Sequence, residues 1–214
     1  MRDFVKGTLK ALVWIGALLG IVLAVLRYQF VDVITVGHNG MAPTIVAGDQ
    51  VALWRGDKID MGDVALCAHP GQAGRYVLAR VTGVAGDQID SYRSQLLFNG
   101  HRIARNVLGE RRFHDTVQNF TDRYVLSIEH LGNNTHPVFD NPRSPLELGN
   151  RTVRKGVFLL SDNRGYRGED SRTFGEVEPA TCKGVVFIRL RPAPRPAVED
   201  PGDDLGHGWL DWIR

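Results

Sequence analysis

Hydrophobic and polar positions divide this chain into two unlike parts. From Ala11 to Leu26 the sequence reads ALVWIGALLGIVLAVL, with Lys10 and Arg27 closing it at either end. A run without a polar face predicts a helix surrounded by apolar material on all sides. Its sixteen residues would span about 24 Å as a helix, short of a hydrocarbon core of about 30 Å. Snorkelling of Lys10 and Arg27, with Tyr28 and Phe30 at the interface, makes up the difference. A retained membrane anchor is the preferred reading. Two others stay open: a cleaved secretory signal, with Arg2, Lys6 and Lys10 as its basic start and Val22-Leu23-Ala24 as a cleavage site, and a buried core helix. The basic residues before the run, against Arg27 alone just after it, predict a cytoplasmic N-terminus with the remainder outside.

Beyond residue 30 the period shortens from that of a helix to that of strands. Val31 to Val36 is rich in β-branched residues, Gln50 to Trp54 follows the turn Val46-Ala47-Gly48-Asp49, and Val64 to Cys67 follows Met61-Gly62-Asp63. Tyr76 to Val84 is a further extended run that ends in Gly86-Asp87. Leu96-Leu97-Phe98 before Asn99-Gly100 predicts a hairpin, because Asn-Gly readily supplies two positive-φ positions. Residues 88–154 otherwise read as a less regular insertion, loops over a β platform. The apolar runs Gly156 to Leu160 and Gly184 to Leu190 suit strands buried on both faces. From Arg191 the segment RPAPRPAVEDPGDD reads as an extended Pro-rich linker. The tail after it carries Trp209 and Trp212, which either enter a membrane interface or dock back onto the domain. The expected architecture is mainly β behind one transmembrane helix: an anchor at 1–30, a β domain at 31–190, and a linker with a tail at 191–214.

Composition changes this picture little. Among 214 residues, 26 basic and 24 acidic side chains leave a net charge of +2, which speaks against a nucleic-acid partner. Cys67 and Cys182 are the only cysteines, each in a strand-like setting. They are either two buried thiols or, in an exported domain, a disulfide. With no CxxC or HExxH nearby, no metal and no cofactor is expected. Asn119, Asn133 and Asn150 begin Asn-x-Thr sequons, which matter only in a glycosylating host.

Three stretches carry candidate chemistry. The first is His38-Asn39-Gly40-Met41-Ala42-Pro43-Thr44-Ile45, followed by Gly48-Asp49. The second is Ala79-Arg80-Val81-Thr82-Gly83-Val84-Ala85-Gly86-Asp87. The third is Ser161-Asp162-Asn163-Arg164, then Asp170-Ser171-Arg172 and Phe174-Gly175. In this order, behind an N-terminal apolar run, they resemble the sequence boxes of signal peptidase I over about residues 8–190, most weakly across 88–154. The resemblance implies that family's antiparallel β fold. It also implies a serine nucleophile, a lysine general base of depressed pKa and a small hole for the oxyanion.

The chemical positions depart from that pattern. Gly40 stands where the nucleophile belongs and Ala79 where the base belongs. His38 occupies the place of a hydroxyl oxyanion donor. In the third box Ser161 replaces a glycine, and one extra residue before Asp170 puts Arg167 or Gly168 where a lysine-positioning serine is expected. Lys6, Lys10, Lys58, Lys155 and Lys183 all lie outside the boxes. Loss of nucleophile or base in serine hydrolases costs about a millionfold in turnover. The remaining box residues, Met41, Pro43, Thr44, Arg80, Gly86, Asp87, Asp162, Asn163, Arg164, Asp170 and Arg172, are expected to hold the fold together and shape a groove. The resulting expectation is a catalytically degenerate signal peptidase-like protein of the export pathway. Its expected partners are the membrane and signal peptides, exported polypeptides or an envelope complex. The competing expectations are an active signal peptidase with a relocated nucleophile, and a self-cleaving repressor of related fold, which the apolar N-terminus disfavours.

Overall fold

The computed structural model describes residues 2–56, 58–194 and 209–213. Helix α1 runs over Arg2–Phe30, past the Arg27 expected to close the span. Its apolar stretch Leu12–Phe30, of 19 residues, has none of its window buried against the rest of the chain. At 1.5 Å per residue that is about 28 Å, close to a bilayer core. The buried-core-helix alternative therefore fails, because Leu12, Trp14, Leu18 and Leu23 remain more than 60% exposed.

The chain enters strand β1 (Val31–Thr35) directly from the helix, and β2 (Gln50–Trp54), β3 (Val64–Ala68) and β4 (Tyr76–Gly83) follow. After these come β5 (Gln88–Tyr92), β6 (Gln95–Phe98), β7 (His101–Arg102), β8 (Ala104–Asp115), β9 (Phe120–Leu131), β10 (Asn134–Asp140), β11 (Arg151–Thr152) and β12 (Phe158–Leu160). A single turn of helix, α2 (Ser171–Phe174), precedes β13 (Cys182–Arg191) and β14 (Asp211–Trp212). The main sheet has the order β1-β2-β13-β3-β4-β12, with β14 added to β13. All its pairings are antiparallel. Alternate side chains of β2, β3, β4 and β13 enclose the principal core, which includes Leu53, Ala65, Val77, Ala79, Val81 and Val186. Met41 and Ile45 of the loop after β1 belong to the same core, so that loop is fixed by burial.

Residues 88–154 are more regular than their sequence pattern predicts. They form a four-stranded sheet (β11-β5-β6-β7) and a three-stranded one (β10-β9-β8). Each sheet has its own apolar cluster, around Ile89, Leu96 and Phe158 in one and around Phe113, Tyr124 and Phe139 in the other. The 12-residue strands β8 and β9 escape detection because β8 is largely exposed and a register shift between Val107 and Gly109 interrupts its alternation. The Asn99-Gly100 turn does have two positive φ angles, 49° and 79°.

Cys67 and Cys182 face each other in register across β3 and β13 and are joined as a disulfide. The Pro-rich linker begins later than its composition predicts. Arg191 still belongs to β13, and Ala193 is buried, with its N–H donating to Asp49 Oδ1 at 2.7 Å. The rest of that linker, residues 195–204, lies outside the described residues.

Candidate functional site

The loop between β1 and β2 brings the first box against the third. Met41 and Ile45 anchor it in the core, and the Ala42–Pro43 peptide bond is cis. Gly40 is buried, and its carbonyl accepts the Asn163 N–H at 2.9 Å. Its own N–H donates to His38 Nδ1 at 3.1 Å. Burial lowers the pKa of the His38 imidazole, against the opposing pull of Glu169. The neutral ring that results can accept this bond. The ring also stacks on Tyr166, with centroids 5.7 Å apart. A Cβ at position 40 would lie 2.9 Å from His38 Nδ1 and 3.4 Å from Tyr166 Cδ1. The imidazole thus stands where a side chain at position 40 would begin.

Ala79 sits in the middle of β4, opposite Ala65 of β3, with its methyl group inside the principal core at 0% exposure. Neither position 40 nor position 79 offers a group that can attack a carbonyl or move a proton. His136, a second histidine near the boxes, is 1% exposed. Burial, reinforced by the Arg80 guanidinium, lowers its pKa to about 3. It is sealed from any substrate and too weak a base at neutral pH.

Polar side chains of the boxes meet instead at Asp162. Arg80 donates to it from both sides of its fork, Nε to Oδ1 at 2.9 Å and Nη2 to Oδ2 at 2.7 Å. Arg80 Nη1 donates to the Gly62 carbonyl at 2.7 Å, and the Thr44 hydroxyl donates to Asp162 Oδ2. One carboxylate therefore ties the first box (Thr44), the second (Arg80) and the third (Asp162) together at full burial. Burial alone would raise its pKa, but Arg80 and His136 outweigh that and hold it below the usual value.

The rest of the third box closes on itself. Asp170 accepts from the Ser161 N–H at 3.0 Å and from Arg172 Nη2 at 2.8 Å, and caps α2 through the Arg172 N–H. Arg172 also donates to the carbonyls of Arg164 and Tyr166. Arg164 turns inward to Glu129 of β9 at 2.6 Å, while Asn163 Nδ2 donates to the Asn39 carbonyl. Gly86 and Asp87 make a tight turn: Gly86 has φ +100°, and Asp87 Oδ2 accepts the Val84 N–H at 2.9 Å. Arg167 bonds Ser144 and Gly168 has φ +93°, so neither stands in for a positioning serine.

The family model for signal peptidase, peptidase S26, matches residues 8–190. The chain belongs to the signal peptidase family. Comparison with curated protein sequences finds no match. In this signal peptidase family member the boxes contribute a buried ion pair, turn glycines and carboxylates that accept backbone N–H groups. Gly40 and Ala79, where the sequence resemblance expects a nucleophile and a base, are a buried loop glycine and a core alanine.

Several residues that organise the site are not apparent from the boxes. Asp49, read from sequence only as part of a turn, accepts from the Val46 N–H, the Ala193 N–H and Arg189 Nε at 3.0, 2.7 and 3.0 Å. Arg189 lies inside a strand read as apolar. It is 1% exposed and also reaches Asp211 in β14. Asn39 Nδ2 donates to Asp115 at the tip of the β8–β9 hairpin at 2.9 Å, which fixes that tip beside the nucleophile loop. Only a buried Gly-Asp turn could have signalled Asp49. Nothing local signals Asp115 or Glu129.

Proposed function

We propose that this protein is a catalytically silent signal peptidase-fold membrane protein that holds extended segments of exported polypeptides at the extracytoplasmic membrane surface. The observation that carries the reading is His38. Its ring takes the N–H of position 40 and fills the space a nucleophile would need, while the base position is a methyl group inside the core.

Binding without chemistry is supported by β1. Among the described residues this edge strand pairs only with β2. Val36 N–H donates to the Asp49 carbonyl and Arg55 N–H to the Phe30 carbonyl. By alternation, the backbone groups of Val31, Val33 and Thr35 face away from β2. Asp32 Oδ1 accepts the Val33 N–H and Arg27 donates to the Val31 carbonyl, so part of the edge is guarded. The carbonyl of Val33 and both backbone groups of Thr35 remain for an added strand. The charge bias around α1 supports the proposed topology, as does the Cys67–Cys182 disulfide, which suits an oxidising compartment.

The test places a photocrosslinking amino acid at Thr35 and mixes the purified chain with a preprotein in detergent micelles. The proposal expects an adduct at the signal-peptide segment, competed by free signal peptide, with the preprotein intact. No adduct with the preprotein would overturn the peptide-holding role. Appearance of mature product would refute silence.

A further inference from the structure

A cleft of about 440 Å³ lies between the two small sheets of residues 88–154, lined on one side by the turn from β5 to β6 and on the other by β8, β9 and the end of β10. That volume falls within the range of about 300–1,000 Å³ usual for ligand sites. None of the lining residues belongs to the three boxes.

The cleft is floored by an ion pair with one hydrogen-bonding atom unused on each partner. Arg105 of β8 pairs with Asp140 of β10, their side chains 11 and 8% exposed. Arg105 Nη1 donates to the Ser94 carbonyl at 3.2 Å, and Nη2 to the Ser127 hydroxyl at 2.8 Å. Arg105 Nε and Asp140 Oδ1 are buried and have no partner among the described residues. Asp140 as a whole is 6% exposed. A buried donor and a buried acceptor left open cost stability until something bonds them. A group that accepts and donates at once satisfies both, which is the chemistry of an amide. Water has the same two capacities, but the mouth of the cleft asks for more.

That mouth is the turn Arg93-Ser94, with φ of 51° and 62°. Two successive positive φ angles make the hairpin turn that ordinarily takes Asn-Gly, as at Asn99-Gly100. Here two residues unsuited to it hold the conformation, which is costly for L side chains. Backbone outliers of this kind gather at ligand sites. The turn sets the Ser94 carbonyl on Arg105 and brings Arg93 to the cleft, its guanidinium 5.2 Å from the centre of the Tyr92 ring. Arg93 makes no ion pair among the described residues, whereas Arg105 and Asp140 cancel each other. The lining therefore carries one uncompensated positive charge, in a planar fork that matches a carboxylate. Val107, Val125 and Pro142 supply its apolar part.

We propose that this cleft binds the carboxyl terminus of a short peptide. The last amide bonds Arg105 Nε through its carbonyl and Asp140 Oδ1 through its N–H, the terminal carboxylate pairs with Arg93, and a small aliphatic side chain lies against Val107, Val125 and Pro142. The site is separate from the boxes, and it stands whether or not Gly40 and Ala79 leave the chain silent.

The test is calorimetric titration of the full chain in detergent micelles with N-acetyl-valyl-alanine. The proposal expects saturable binding at one site. Blocking the carboxylate as the C-terminal amide should weaken it by about tenfold or more. Arg93→Asn should do the same, since it removes the charge and leaves a residue that tolerates the turn's positive φ. A depsipeptide with an ester oxygen in place of the last amide N–H should lose a similar factor through Asp140. The two altered peptides leave the protein untouched, so their result does not depend on how a variant folds. Absence of saturable binding would overturn the proposal and leave the open pair to water. Equal binding of the peptide and its C-terminal amide, or binding that ignores both Arg93→Asn and the ester, would also overturn it.

Discussion

Asp162 and Gly40 belong to boxes that touch, yet their surroundings have opposite character. At Asp162 three distant segments converge on one carboxylate through a half-buried Thr44 and a two-pronged Arg80, with Arg80 and Asp162 sealed from water. At Gly40 an imidazole turns back onto its own loop, and Ala79, where the sequence resemblance expects a base, is packed in the core. The first arrangement cannot lose a partner without leaving a buried charge alone. The second can be rearranged with little harm to the fold. On the proposed silent reading, the boxes mix two kinds of residue, those the fold needs and those only the reaction needs.

Substitutions on the Asp162 side should sharpen this contrast most. Arg80→Ala leaves the carboxylate buried and unpaired, a loss of about 3–5 kcal/mol, visible as a lower denaturant midpoint in detergent. An unchanged midpoint would dissolve the distinction. The disulfide clamps β3 to β13 across 115 residues of sequence. Its removal by Cys67→Ala, Cys182→Ala should cost about 2–4 kcal/mol in the same assay.

Acidity should divide the molecule in a different way. Burial raises the Asp140 pKa to about 6 despite its pairing with Arg105. A raised folded pKa contributes stability that is complete below the unfolded value and lost as pH rises through about 6. Asp162, with its pKa lowered, does the reverse: its contribution is present at neutral pH and disappears in acid. Between pH 5 and pH 7 the Asp140 contribution should therefore lower stability by about 1 kcal/mol, and Asp140→Asn should flatten that slope. A slope that survives the substitution would assign it elsewhere.

The smallest effect belongs to the Gly40 side. His38→Ala removes a ring and one half-buried hydrogen bond, worth about 1 kcal/mol. It should leave the denaturant midpoint nearly in place. A loss comparable to that of Arg80→Ala would make His38 part of the frame.

Order of the boxes, the apolar run and the Asn99-Gly100 turn made the family and its β architecture legible from sequence, because each rests on local pattern. That Gly40 and Ala79 stand at the box positions where a nucleophile and a base are expected is a reading of the sequence resemblance alone. What His38 does with the space was not legible, since a hydrogen bond to a neighbouring N–H leaves no pattern in composition. The β8–β9 hairpin was missed because β8 is largely exposed and a register shift interrupts its alternation. Pairs such as Asp49 with Arg189 and Arg164 with Glu129 join residues far apart in the chain, and only the completed topology brings them together. The pairing of Cys67 with Cys182 is of the same kind: it follows from β3 lying beside β13.

The most direct measurement is preprotein processing in micelles by the purified wild-type chain, beside the variant His38→Ser, Gly40→Ser, Ala79→Lys. The variant clears the imidazole, supplies the hydroxyl donor and nucleophile, and places a lysine in a desolvated position that depresses its pKa. The account predicts no mature product from wild type and product from the triple variant. Mature product from the wild-type chain would mean that another side chain has taken over the chemistry, and would contradict the central claim.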